Sequence, residues 1–362
     1  MSLKRRLLVN VIAPALARRW YRRNRQTLLT TAVGVGTAVA ARAVVRRLTQ
    51  FSLRGKTVLI TGGSRGLGLV LAREFARQGA RLAICARDAG ELARARVDLV
   101  SRGAEVVAVP CDLTDQSQVR EMIRHVREQF KEIDVLVNNA GIITVGPYEE
   151  MTLSDYEEAM KANFWSALYT TLAVAPEMRA RRQGRIVNIA SIGGKIGVPH
   201  LVPYCASKFA LVGFSEGLRA ELKPHGVVVT TVCPGLMRTG SPLHATFKGQ
   251  HREEYKWFSV SDSLPLTSMS AERAARRIVT ACKNGDAEVI LSIPAKLAVE
   301  LRAHFPELTA GLMGLFNYLL PDPGGIGVEG SKGAESGSAL SSSWLTVLSQ
   351  RAARKNNQIQ EV

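Results

Sequence analysis

The chain of 362 residues has no Cys-x-x-Cys pair and no apolar run of the roughly 20 residues that a membrane-spanning helix takes. Its five cysteines (Cys85, Cys111, Cys205, Cys233, Cys282) stand singly, four of them in or beside apolar stretches. An odd, scattered set supports neither a disulfide framework nor a metal site, and no metal is expected; reduced core thiols in a reducing compartment fit better. Acid is missing from the first fifty residues, which carry eleven Lys or Arg and no Asp or Glu. The formal charge of +17 is therefore concentrated there, and the remainder carries only about +6. That remainder also lacks zinc-ligand spacing and basic runs interleaved with exposed aromatics, so no nucleic-acid partner is expected.

What is present is globular material, 46% hydrophobic and 22% charged, long enough for one large α/β domain with extensions. Ahead of that domain lies a basic arm, residues 1–50. Within it Gln26–Ala41 is a stretch of sixteen uncharged residues fenced by Arg22, Arg23 and Arg25 before and Arg42, Arg46 and Arg47 after. As a helix it reaches about 24 Å against a hydrocarbon core of ~30 Å, so spanning requires the flanking arginines to snorkel. Two readings stay open: a membrane-associated anchor helped by anionic lipid, and a helical extension with no membrane role. A cleaved signal peptide fits poorly, because the apolar run starts late and lacks a small-x-small exit.

From Lys56 short β-branched or apolar runs alternate with helical periodicity. The strands expected are Thr57–Ile60, Arg81–Cys85, Glu105–Pro110, Val135–Asn138, Arg185–Ile189, Val227–Cys233 and Glu288–Leu291. Helices are expected between them, notably Gly66–Gln78, Ser117–Phe130, Leu153–Arg181, Tyr204–Lys223 and Ala271–Asn284. Nearly all-apolar strands between amphipathic helices imply a doubly wound parallel sheet, with ligands at the carboxyl ends of the strands. Gly240–Met269 shows no clear period and reads as a lid or loop. Phe305–Leu320 is strongly apolar and needs a partner surface, and the Gly/Ser-rich tail, 325–362, is expected to be largely disordered.

Three clusters carry chemistry. The loop Gly62, Ser64, Arg65, Gly66, Leu67, Gly68 sits between a strand and a helix, where bare backbone and a helix N-terminus suit a pyrophosphate. The next strand ends at Ala86-Arg87 without the acidic residue that would grip a ribose 2′-hydroxyl, so Arg65 and Arg87 can converge on a 2′-phosphate and NADP(H) is favoured over NAD(H). Asp88 is the alternative ribose ligand. Asp112-Leu113 lies where an adenine edge would be met, unless Asp112 caps the following helix. Asn138-Asn139-Ala140-Gly141 ends another strand with two amides and a flexible glycine suited to the sheet edge and cofactor.

Tyr204 and Lys208 lie four apart on one helix, hence on one side. An adjacent ammonium stabilises phenolate, letting Tyr204 exchange the proton of an alcohol while hydride moves. Ser191, at a strand's carboxyl end thirteen residues earlier, can hydrogen-bond the substrate oxygen, and Asn163 is an interior helical Asn with a polar duty or a merely solvated one.

In order and spacing, TGGSRGLG, NNAG, Asn163, Ser191, YCASK and Pro234-Gly235 resemble the short-chain dehydrogenase/reductase family over about residues 54–293. The resemblance implies a single Rossmann-type catalytic domain there and an apolar extension, 294–324, outside it. It implies a catalytic tetrad of Asn163, Ser191, Tyr204 and Lys208, with Lys208 also on the nicotinamide ribose, Asn163 helping to hold a proton-relay water, and Thr239 on the carboxamide. The usual Pro-Gly-x-Val-x-Thr reads here Pro234-Gly235-Leu236-Met237-Arg238-Thr239. The cofactor contacts implied are the glycine loop, Arg87, Asp112, Leu113, Asn139, Ala140, Gly141, Tyr204, Lys208, Pro234, Gly235 and Thr239. Family members pair the helices that hold Asn163 and Tyr204, so a homodimer or homotetramer is expected. The function expected is interconversion of a secondary alcohol and a ketone, with a lipophilic substrate suggested by Phe247, Trp257, Phe258 and the apolar segments, on the cytoplasmic side of a membrane if the arm anchors. The rivals are a catalytically silent cofactor-binding scaffold and a membrane-tethered regulator.

Overall fold

The computed structural model describes residues 37, 50–263, 268–337 and 347–359. The chain divides into two units, Met1–Gln50 and Phe51–Val362. The first, with the apolar arm Gln26–Ala41, falls outside the described residues apart from Thr37 and Gln50.

In the second unit the central sheet contains β1 (Thr57–Thr61), β2 (Arg81–Ala86), β3 (Val106–Pro110), β4 (Val135–Asn138), β5 (Gly184–Ile189), β6 (Val227–Cys233) and β7 (Glu288–Ile290). Every neighbouring pair is parallel, in the order β7-β6-β5-β4-β1-β2-β3. β1 (TVLIT) is buried along its whole length, as a strand covered on both faces must be. Strand alternation sorts the core into two layers. Val58 and Ile60 of β1 face one cluster, with Leu69, Leu71 and Phe75 of α1 (Gly66–Arg77), Leu92 and Leu99 of α2 (Ala89–Ser101), and residues from Ala271–Asn284. Leu59 faces the other, with Met122 and Ile123 of α3 (Gln116–Phe130) and Val174 and Met178 further on.

Chain order reverses between β1 and β4, so the loops after these strands diverge and leave a crevice at their carboxyl ends. A capping box between Thr152 and Asp155 starts α4 (Leu153–Met160). It runs through one π-helical turn, Lys161–Trp165, into α5 (Ser166–Ala180). The single long helix expected from the sequence is thus interrupted at Asn163. α6 (Val202–Leu222) then carries Tyr204 and Lys208.

Helix α2 takes the place that the alternation leaves between β2 and β3; Asp88 caps it, its side chain accepting from the Glu91 N–H at 2.7 Å. Two expectations need correction. Gly240–Met269 contains a helix, α7 (His251–Ser263), whose period is masked by polar residues that face inward. Its Glu254 is fully buried, accepting from the Trp257 indole at 2.6 Å and lying 2.6 Å from His200 Nδ1. The tail is ordered where described: Ser331–Lys332 pairs antiparallel with Thr246–Phe247, and Val347–Lys355 is helical. Composition hid this because the tail's partners are residues far away in sequence. α8 (Ala271–Asn284) precedes β7, and α9 (Ile293–His304) and α10 (Pro306–Asn317) follow it. Leu308, Leu312 and Leu315 of α10 remain exposed.

Candidate active site

The glycine loop connects β1 to α1, and two of its glycines are demanded by space. A Cβ on Gly68 would lie 2.0 Å from the Gly62 carbonyl oxygen, and one on Gly62, itself at φ +61°, would touch Ala140 Cα at 3.0 Å. Thr61 and Asn139 lock this loop to the turn after β4. The Thr61 hydroxyl accepts from the N–H groups of Asn139 (2.9 Å) and Ala140 (3.1 Å), and Asn139 Nδ2 donates to the Thr61 carbonyl at 3.0 Å. Asn138 points the other way. Its amide joins Asn188, Thr170 and Thr171 in a buried polar network, so it holds sheet to helix rather than facing the crevice.

Asn163 lies in the π turn, 1% exposed. Such turns re-aim a helix and recur at functional sites. Its Oδ1 accepts from the Ile142 N–H at 2.9 Å, and its Nδ2 donates to the Ile142 carbonyl at 3.1 Å and to the Ser207 hydroxyl at 2.9 Å. One side chain therefore ties the turn after β4 to α6. Gly141 stands against it, because a Cβ there would come 2.5 Å from Asn163 Oδ1 and 3.4 Å from Lys208 Nζ.

Lys208 is buried and donates to the Ile189 carbonyl, at the end of β5, at 3.0 Å. Its Nζ lies 5.7 Å from the centroid of the Tyr204 ring. Ser191 caps the short helical turn after β5, its hydroxyl accepting from the Gly193 N–H at 3.0 Å. Burial pushes the Tyr204 phenol up to about 12, and a hydrogen bond with Ser191 opposes that rise. Burial also draws Lys208 down to about 8. Desolvation is the largest cause of both shifts, so the fold favours the neutral phenol. Asn163, Ser191, Tyr204 and Lys208 converge from the π turn, the end of β5 and α6.

The cofactor side is less uniform. The first N–H of α1, on Gly66, donates to the Asn356 carbonyl at 2.9 Å. Arg65 is ion-paired with Glu91, which also accepts from the Ser64 hydroxyl at 3.1 Å, so of the two guanidiniums it is the exposed Arg87 that has no acid partner among the described residues. Glu91 was missed by sequence reading; an acid three residues beyond a helix cap looks like ordinary helix-end charge. Asp88 spends one oxygen on its cap, and Asp112 accepts from the Thr114 N–H and hydroxyl while Asp115, not Asp112, caps α3. Leu67 and Leu113 are buried. After β6, Pro234 is buried and Gly235 half-buried, and Thr239 Oγ1 accepts from the Ser241 N–H at 3.2 Å. Asp262 of α7 was also missed. It is buried, accepts from the Met237 N–H at 3.0 Å with one oxygen, and has no partner among the described residues for the other.

A parallel sheet with a glycine-rich turn at its reversal point and a Tyr/Lys pair across the crevice defines a dinucleotide-dependent oxidoreductase. The short chain dehydrogenase family model matches residues 56–246. The chain is 34% identical over 268 residues to a dehydrogenase/reductase SDR family protein 7-like of Anopheles gambiae, covering 72% of this chain and 83% of that protein. It is 33% identical over 243 residues to the ketoacyl reductase HetN of a Nostoc strain, covering 67% and 80%. A short chain dehydrogenase/reductase from Burkholderia phymatum, solved in complex with NAD, superposes with a TM-score of 0.65 at 26% identity, covering 71% of this chain and 96% of that one. The chain belongs to the short-chain dehydrogenase/reductase family, NAD(P)-dependent enzymes that act on CH–OH groups. Among the described residues no helix is long and apolar enough to cross a membrane.

Proposed function

We propose that the chain is an NADP(H)-dependent reductase that interconverts a lipophilic ketone and its secondary alcohol, with Tyr204 as general acid/base. The observation that carries the reading is the meeting of Tyr204, Lys208, Ser191 and the buried Asn163 at the carboxyl ends of the strands. The residues present fit a dinucleotide: the N-terminus of α1 for the pyrophosphate, Asp112, Leu113 and Asn139–Gly141 along the adenine and ribose, Lys208 for the nicotinamide ribose, and Pro234, Gly235 and Thr239 for the carboxamide end. A bound nicotinamide supplies or accepts the hydride.

The chain's own groups do the rest. The neutral Tyr204 hydroxyl donates its proton to the carbonyl oxygen as that oxygen gains charge, and Ser191 donates a hydrogen bond to the same atom. The Lys208 ammonium favours the phenolate left behind, and Asn163 fixes α6 against the turn after β4, so the distance between acid and cofactor wall is set by packed elements. In the alcohol direction Tyr204 takes the proton instead.

Preference for NADP(H) rests on Ala86-Arg87 at the end of β2, where no acid awaits a 2′-hydroxyl, with Arg65 one loop away. A lipophilic substrate is supported by the cluster of Val145, Leu201, Phe247, Tyr255 and Phe258 packed against Tyr204 and Trp257, and by similarity to a ketoacyl reductase. Trp165, Leu172 and Phe209, exposed on α5, α6 and the π turn, support pairing of these helices in a homodimer or homotetramer. The exposed leucines of α10 and the basic arm support association with a membrane surface, and the five free, buried cysteines support its reducing, cytoplasmic side. The test is oxidation of NADPH and NADH with a panel of lipophilic and small polar ketones, for the parent and Tyr204→Phe. NADPH-preferring turnover that disappears in the variant is the expected result; dinucleotide binding without turnover on any ketone favours a silent scaffold.

A further inference from the structure

The helix Val347–Lys355, α11, ends in Asn356-Asn357-Gln358, with Asn357 at φ +57°, a conformation asparagine tolerates better than most residues. The turn aims these three side chains back at the body of the protein, onto the glycine loop. The Gly66 N–H donates to the Asn356 carbonyl, and Asn357 Nδ2 donates to the carbonyls of Ser64 and Glu91, all at 2.9 Å. Arg94 Nε donates to Asn357 Oδ1 at 2.9 Å, while Arg73 donates to Asn356 Oδ1 and to the Lys355 carbonyl at 3.0 Å. On the far wall His244 Nε2 lies 3.0 Å from the Gln358 carbonyl oxygen. α11 itself is seated by Ser263 donating to Ser349 at 2.9 Å and by a Lys355–Glu272 ion pair at 2.6 Å.

These contacts fall on groups that a dinucleotide needs. Gly66 supplies the first free N–H of α1, the donor a phosphate oxygen would take, and a protein carbonyl already occupies it. The bare face of Gly66 is covered as well, since Gln358 Nε2 lies 2.6 Å from where a Cβ would be. The tail also bridges from the glycine loop to the segment around Gly240, whose missing Cβ would meet Ala353 at 2.6 Å. Yet the seat is incomplete. Among the described residues, Asn356 Nδ2 and Gln358 Oε1 are buried without a hydrogen-bond partner, so the docked tail forgoes bonds that water would give it on release.

We infer that the segment Val347–Ile359 is an autoinhibitory plug, which competes with the cofactor's phosphates for the N-terminus of α1 and is released when cofactor binds. The inference rests on the cofactor site proposed above. Apparent cofactor affinity is then the intrinsic affinity reduced by the fraction of chains whose tail is undocked. A reversible staple tests it in the full chain: Ser263→Cys with Ser349→Cys, whose parent hydroxyls already touch, titrated with NADPH by fluorescence before and after reduction. The oxidised form is expected to bind at least tenfold more weakly than the reduced form. In the unstapled chain Asn357→Ala is expected to tighten binding severalfold, and amide exchange over residues 353–358 to accelerate on adding NADPH. Equal or tighter binding by the oxidised form, or slower exchange of the tail with cofactor, would overturn the plug and make the segment a clasp on bound cofactor. Failure of both redox forms and of Asn357→Ala to bind either NADPH or NADH would remove the cofactor-site reading itself, and the plug with it.

Discussion

Gly141→Ala is the smallest change that probes the proposed catalytic geometry, since it adds one methyl group and alters no charge. No positive φ is involved at this position, so the consequence comes from space alone. The new Cβ would stand 2.5 Å from Asn163 Oδ1, closer than real Cβ atoms approach any oxygen, and 3.4 Å from Lys208 Nζ, an ordinary contact. Asn163 must therefore move while Lys208 need not. Moving it breaks the bond from the Ile142 N–H and strains the one to Ser207, the two links that hold the turn after β4 to α6. Losing one buried hydrogen bond of this kind costs about 1–3 kcal/mol. If the strain falls on the position of Tyr204 during proton transfer, that is roughly a 5- to 150-fold loss in kcat, at 1.4 kcal/mol per tenfold. Because the methyl group is remote from the N-terminus of α1, KM for NADPH should change less than threefold. The assay is steady-state reduction of whichever ketone the parent turns over, with circular dichroism and melting temperature to show that the fold survives. A kcat within a factor of two of the parent, in a protein that melts normally, refutes the role given to Asn163.

Other perturbations follow from the same groups. With Lys208 drawn down to about 8 and Tyr204 raised to about 12, kcat/KM for ketone reduction should fall on the alkaline side with an apparent pKa near 8, as the ammonium is lost while the phenol stays protonated; a flat profile to pH 10 would contradict that assignment. Asp262, raised by burial to about 7, keeps its proton in the fold across a range where the unfolded chain has lost it, so its contribution is fully present below the unfolded value of 3.8 and is lost as pH rises through 7. Asp262→Asn should thus stabilise the protein by up to about 4 kcal/mol at pH 8 and little at pH 4, read from denaturant melts at the two pH values. Glu91→Gln removes the carboxylate that neutralises Arg65, and should raise NADPH affinity relative to NADH by about tenfold; an unchanged ratio in paired titrations would show that Arg65 does not meet the 2′-phosphate.

The sheet was legible because each of its strands declares itself locally. A run such as VLIT or VVVTTVC has no other economical place than a buried parallel strand, and all seven strands begin and end within one residue of where composition puts them. The proposed catalytic residues were legible for a related reason. Tyr204 and Lys208 are joined by the helical repeat itself, and Ser191 sits at a strand end that the periodicity already locates. Local pattern could not give the electrostatic state of that pair, because burial is a property of the assembled core. The spacing argues for a depressed phenol, whereas α6 buried beside β5 raises it.

The features that escaped share one physical trait: their partners lie far away in sequence and their local composition argues for something else. Glu254 in HREEYKWF reads as a solvated helix face until His200, 54 residues earlier, is brought against it. The π turn Lys161–Trp165, which aims Asn163 at Ile142 and Ser207, leaves no mark on a segment that reads as one continuous helix. Asn356-Asn357-Gln358, polar and near the end of a Gly/Ser-rich tail, looks like solvent-exposed chain, yet its bonds reach Ser64 across a separation of 293 residues. Polar residues reveal such roles only through the specific donors and acceptors they meet, since hydrophobic periodicity carries no record of hydrogen-bond partners. The proposed cofactor site is therefore the region where sequence and structure differ most: the glycine loop is written in the sequence, while the residues that occupy its first donor are assembled from the opposite end of the chain.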